Sequence, residues 1–272
     1  MEKSNSIQPY EHAMIGGFSS VLALVIWYPL DTLRTLRQTK EYNQMTTLQL
    51  IEKYGIAVLY QGMASGLASM GISWCCYYYF QKKFQLLAKR YGIRALTNSV
   101  QLCIGLLAGA ITCTVANPFW VINTRMKIQR NKSRYSMYSA VKSLLRENGF
   151  LAFYNGYMPS LLLVWNPAIQ FLVAEHMNLT LHDSQIPTSL LQFLIGGVSK
   201  FSSTIITYPL QVIKTRMQVK QRGVSLVGIS QEIFGEGGIE LFYAGLEEKL
   251  AQTVLTAATM FSIAEILTKF NA

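Results

Sequence analysis

One lysine interrupts a long apolar run. From Ser184 to Ile213 the single charged side chain is Lys200. An ionisable residue inside a span fit for a membrane is a functional candidate by default, because a lone charge in low dielectric is costly. There its ammonium would grip an anionic group such as a phosphate. The structural alternative is that it snorkels or pairs. Lys200 stands nine residues before Pro209, where the equivalent positions ahead of Pro29 and Pro118 hold Ser20 and Gly109. A purely structural site would favour a small residue in all three. Lys249 is a second candidate cation, with Glu247 and Glu248 beside it as residues that could neutralise it.

Other chemistry is missing from the sequence. Cys75, Cys76, Cys103 and Cys113 lie in apolar runs without C-x-x-C spacing, as buried small hydrophobes do. His12, His176 and His182 lack metal-ligand spacing. There is no phosphate-binding loop of the Walker type and no nucleophile elbow. The reading is of a protein that is not an enzyme and carries neither cofactor nor metal.

The elements that must position these lysines come in three copies. Pro29, Pro118 and Pro209 open PLDTLRTLRQ, PFWVINTRMK and PLQVIKTRMQ, 89 and 91 residues apart. Gly16, Gly105 and Gly196 each precede their proline by thirteen residues. Each copy closes with an aromatic-x-Gly ending at Gly62, Gly156 or Gly245, and Gly55, Gly149 or Gly238 lies seven residues upstream. Repeats are expected over 10–92, 96–183 and 187–272, in one domain covering 1–272.

Composition sets the repeats in a bilayer. Hydrophobic residues make up 51% and charged residues 14%, against about 25% charged in soluble domains. Charge is absent from Ala13–Leu30, Gly62–Phe80, Leu96–Ile122, Tyr157–Ala174 and Leu250–Ala264. With the Lys200 run these give six spans, two per repeat. Short amphipathic segments between the spans, near Thr47–Lys53, Tyr138–Glu147 and Leu226–Gly235, suit the interface. In the first, Leu48, Ile51 and Tyr54 share a face; in the second, Val141, Leu144 and Leu145 do. The net charge is +10. Sixteen of the 24 Lys and Arg fall in Lys249 and the segments after the prolines, at headgroup level. The bilayer is therefore the expected partner, and nucleic acid is not. Residues 1–12 resemble neither a signal peptide nor a transit peptide, so targeting is expected within the chain.

The threefold P-x-[DE]-x-x-[KR], followed by Gly and aromatic-x-Gly, is the signature of the mitochondrial carrier family, which the whole chain resembles. The resemblance implies an all-α membrane protein. Its six transmembrane helices form three pseudo-symmetric repeats with short interfacial helices around a central cavity, working by alternating access. Carrying family positions over, the acid sites of one gate are Asp31, Trp120 and Gln211. The basic sites are Arg34, Asn123 and Lys214, and brace glutamines match Gln38 and Gln218, with Lys127 in the second repeat. Pairing each acid with the next basic site matches Asp31 to Asn123, Trp120 to Lys214 and Gln211 to Arg34. None is a full ion pair, so a weak gate is expected. For the opposite gate, Glu175 and Glu265 match the acid sites.

The family's solute contacts map to Ser69 and Met70, Leu163 and Val164, and Gln252 and Thr253. Trp165 and Asn166 nearby could hold a base, and Lys200 and Lys249 the phosphates. Trp120 in the second motif resembles carriers of large cofactors and nucleotides. Ser160–Phe171, Thr207–Gln211 and Gly245–Ala258 resemble the peroxisomal branch of the family. The resemblance implies antiport of adenine-containing nucleotides or coenzymes (ATP, AMP, coenzyme A, FAD or NAD) in the peroxisomal membrane. The expected chain is a monomer recognised by a peroxisomal import receptor. The alternatives are a mitochondrial inner-membrane carrier for FAD, folate or NAD, and a carrier-like adaptor that transports nothing.

Overall fold

The computed structural model describes residues 9–42, 45–93, 97–129, 136–181, 187–220 and 225–271. The first repeat holds α1 (Pro9–Arg37), α2 (Thr47–Tyr54) and α3 (Met63–Arg90). The second holds α4 (Asn98–Ile128), α5 (Met137–Asn148), α6 (Tyr157–Leu162) and α7 (Asn166–Thr180). The third holds α8 (Thr188–Val219), α9 (Leu226–Gly237) and α10 (Leu246–Asn271). Among the described residues, five helical stretches are long and apolar enough to cross a membrane. They belong to α3, α4, α6 with α7, α8 and α10. The sixth crossing is α1, whose 29 residues reach about 44 Å at 1.5 Å per residue, against roughly 30 Å of hydrocarbon.

Pro29, Pro118 and Pro209 all lie inside their helices, which continue past them. Each proline removes one backbone donor and crowds the preceding turn, yet its helix runs on past it. The even helix of the second repeat does break. Pro167 cannot donate, and a 3₁₀ turn at Leu163–Trp165 separates α6 from α7.

The helices close into a ring. α3 packs along α4, α6 and α7 along α8, and α10 along α1. The closing glycines make these seams tight. Gly62, Gly156 and Gly245 have φ of 81°, 75° and 80°, the left-handed region. A Cβ at Gly156 would lie 3.0 Å from the Lys214 carbonyl oxygen, and one at Gly245 3.0 Å from that of Arg34. Each closing glycine thus lies against the gate segment of the next repeat's odd helix.

The interfacial helices follow the same threefold rule. Side chains of Thr46, Ser136 and Ser225 accept from backbone N–H groups in the first turns of α2, α5 and α9, and Gln49 completes a capping box with Thr46. Each helix buries one stripe: Leu50 in α2, Ala140 and Leu144 in α5, Ile229 and Ile233 in α9. Each large apolar side chain so buried contributes about 1.5–3 kcal/mol. Leu48 does not join Ile51 and Tyr54 on the packed face; it is 72% exposed, and Leu145 likewise points outward. The reason is register: Leu50 and Leu144 face the odd helices, which turns Leu48 and Leu145 away.

Candidate functional site

The odd helices each present a face of i, i+3 and i+4 spacing to a central cavity. α1 offers Leu24, Tyr28, Asp31 and Arg34; α4 offers Trp120, Asn123 and Lys127; α8 offers Lys200, Thr204, Gln211, Lys214 and Gln218. The even helices add Gly66 and Met70 from α3, Leu163 and Asn166 around the break, and Lys249 and Gln252 from α10. The cavity holds about 420 Å³, within the ~300–1,000 Å³ of ordinary ligand sites. Its lining contains five cations (Arg34, Lys127, Lys200, Lys214 and Lys249) and one carboxylate, Asp31. Such a wall in low dielectric attracts polyanions and holds them by charge-assisted hydrogen bonds.

Acceptors for the cations are unevenly shared. Lys127 forms an ion pair with Asp31 across α4 and α1 and stands 5.1 Å from the Tyr28 ring centroid. Arg34 approaches Asp31 at 3.4 Å and donates to Gln211 Oε1 at 3.3 Å. Glu248, beside Lys249, is taken by Arg37 at 3.1 Å. Among the described residues, Lys200, Lys214 and Lys249 make no ion pair with a carboxylate, so three ammonium groups remain for a solute.

Below the cavity the odd-helix ends are tied together. Gln38 donates to the Tyr208 hydroxyl at 3.2 Å and accepts from Thr215 at 2.6 Å; Gln218 accepts from Thr124 at 2.8 Å. Arg125 binds Glu147 and the carbonyl oxygens of Gln218 and Lys220. Arg216 repeats the arrangement with Glu236 and the Gln38 carbonyl oxygen. In the first repeat the corresponding residues are Leu36, fully buried, and Lys53.

The profile described as "Mitochondrial carrier protein" matches residues 5–92, 94–185 and 187–271. The chain belongs to the mitochondrial carrier family. The carrier is 33% identical to mouse "Peroxisomal membrane protein PMP34" over 97% of this chain and 94% of that one. It is 30% identical to the "Peroxisomal nicotinamide adenine dinucleotide carrier" of Arabidopsis thaliana over 95% of both. It is 29% identical to the "Mitochondrial nicotinamide adenine dinucleotide transporter 1" of Saccharomyces cerevisiae, over 90% of this chain and 73% of that one. It is therefore a multi-pass transporter of that family.

The carrier's cavity takes one residue from each expected contact pair: Met70 and not Ser69, Leu163 and not Val164, Gln252 and not Thr253. Adjacent helical residues point about 100° apart, so one of each pair must turn away. Ser69 is buried and bonds the Ser65 carbonyl oxygen, Val164 packs over Gly109, and Thr253 bonds back to Lys249. Trp165 is 57% exposed and lies outside the cavity, because the 3₁₀ turn before Pro167 rotates it out. Asn166 does line the cavity, but its amide nitrogen is committed to the Ser203 carbonyl oxygen and Thr207, leaving its oxygen for a solute.

The expected gate pairing needs correction at two of three places. Arg34 and Gln211 pair as expected. Asn123 instead donates to the Gly62 carbonyl oxygen at 2.9 Å and to the Ser65 hydroxyl at 3.1 Å. Trp120 donates to Ser73 at 3.0 Å and makes no cation–π contact with Lys214. The positions mapped to the gate thus include a full ion pair, Lys127 with Asp31, supplied from the brace position. Glu175 and Glu265 are exposed and lie outside the cavity lining. Among the residues missed for the cavity wall, Tyr28 lies one turn from Asp31, Thr204 one turn from Lys200 and Lys127 one turn from Asn123, so helical spacing signals these three as cavity-facing.

Proposed function

We propose that the carrier exchanges adenine-containing nucleotides or coenzymes across the peroxisomal membrane by alternating access. The observation that carries this reading is the cavity wall of five cations against one carboxylate. Lys200, Lys249 and Lys214 are the phosphate partners left by the internal pairing. Gln252, the Asn166 oxygen and the Trp120 ring are available to the base. Two relatives with peroxisomal names, one of them a dinucleotide carrier, support both the solute class and the organelle.

The test is counter-exchange in proteoliposomes loaded with ATP, AMP, coenzyme A, FAD or NAD, for wild type and Lys200→Ala. Uptake that collapses in the variant supports the reading. Uptake untouched by the variant removes Lys200 from the site. Folded wild type that exchanges none of these solutes overturns the nucleotide assignment and favours the adaptor. The yeast mitochondrial relative favours a second reading, an NAD-type carrier of the mitochondrial inner membrane. Imaging of the tagged chain against peroxisomal and mitochondrial markers separates the two.

A further inference from the structure

A second, smaller cavity of about 200 Å³ opens between α3, α4, α6 and α8. It shares Trp120, Leu163 and Lys214 with the main one. Its volume lies below the ~300 Å³ at which whole ligands are usually held, so it suits one end of a solute lying in the main cavity. Most of its hydroxyls are already used. Ser73 bonds Ser69 and Trp120, and Ser160 bonds the Gly156 carbonyl oxygen. Two polar groups are not. The Thr112 side chain is nine-tenths buried and its hydroxyl has no hydrogen-bond partner. Lys214 has no carboxylate among the described residues, since the acid position that would face it is Trp120, whose N–H points to Ser73.

A buried hydroxyl donor and an ammonium without a counter-charge both ask for an anionic oxygen, and none faces them among the described residues. We infer that Lys214 and Thr112 form an anion subsite in this side cavity, which binds a phosphate group of the solute. The tryptophan that replaces the gate acid frees Lys214 from gating for this role. The inference rests on reading the cavity as a site for a phosphate-bearing solute, but it specifies a different contact from Lys200.

The test uses inorganic tripolyphosphate as probe, so that it does not depend on which nucleotide is carried. Ligand-dependent thermal stabilisation of the purified full chain is measured for wild type, Lys214→Gln, Lys214→Arg, Thr112→Val and Trp120→Asp. The expected result is stabilisation of wild type and at least tenfold weaker binding in Lys214→Gln, equivalent to about 1.4 kcal/mol. Lys214→Arg should retain most of the affinity. Trp120→Asp should weaken binding as much as Lys214→Gln, by restoring an internal partner for the lysine. Thr112→Val should weaken it less. Wild type that tripolyphosphate does not stabilise, or a Lys214→Gln variant that binds it as wild type does, overturns the subsite. If tripolyphosphate binds through Lys214 while no nucleotide is exchanged, the subsite stands and the proposed solute class falls.

Discussion

Lys127 on α4 pairs with Asp31 on α1 and also lies against the ring of Tyr28, one turn earlier on the same helix as its acid. The Lys127 side chain is 4% exposed and that of Asp31 23%. Removing one partner of a buried pair strands the other, at about 3–5 kcal/mol, and the exposure of Asp31 reduces that toward ~2. Asp31→Asn should therefore lower the melting temperature of the unliganded carrier by several degrees. Asp31→Asn with Lys127→Gln should recover part of the loss. Equal melting of the single and double variants would show that the pair does not hold the gate.

The closing glycines and Gly238, seven residues before the last of them, differ in a way that melting can rank. Alanine at Gly238 meets open space and suffers only its positive φ, a cost of about 1–2 kcal/mol. Alanine at Gly245 adds a collision with the Arg34 backbone at 3.0 Å. Gly245→Ala and Gly156→Ala should each lose more stability than Gly238→Ala, and Gly62→Ala, with contacts no closer than 3.4 Å, should fall between.

Arg125 with Glu147 and Arg216 with Glu236 have no counterpart in the first repeat, where Leu36 and Lys53 stand. A charge placed alone at Leu36 would be buried and unpaired. Leu36→Arg should unfold the carrier readily, and Lys53→Glu on that background should rescue it. A double-mutant cycle in urea or heat measures the coupling, expected at 1 kcal/mol or more. Additive losses would mean that the third copy of the pair cannot form.

Asn166 ties the broken even helix to α8 through Ser203 and Thr207. Asn166→Ala should cost about 1–3 kcal/mol by leaving those acceptors unpaired. Faster amide hydrogen exchange in Leu163–Trp165 than in the matching turns of α3 and α10 is the diagnostic readout. Unchanged exchange there would place the weakness elsewhere.

Most of the fold was legible because it is periodic. The prolines and the glycine pairs recur three times and the charge-poor runs six times, and every recurrence marks a proline within a helix, a left-handed turn or a crossing. Lys200 and Lys249 were legible for the opposite reason, as charges that break the pattern. What escaped was rotation and partner choice. Ser69 and Met70 are neighbours in sequence but face different ways on α3. Trp165 leaves the cavity because Pro167 breaks the helix, a turn that no hydropathy pattern records. Lys127 read as a defective brace glutamine, and only the packing of α4 against α1 shows which carboxylate it reaches.

The three seams of the ring are fastened by unlike bonds. α8 is held to α1 by Arg34 with Gln211, Gln38 with Tyr208 and Thr215, and Arg216 with the Gln38 carbonyl oxygen. α4 is held to α8 by Thr124 and by Arg125 through carbonyl oxygens. α1 and α4 meet through Lys127, which pairs with Asp31 and lies over the Tyr28 ring. An iris needs identical leaves. If these helix ends part during exchange, leaves fastened this unequally would open more like a door, hinged on the amide-rich α8–α1 edge and latched by the Lys127–Asp31 pair.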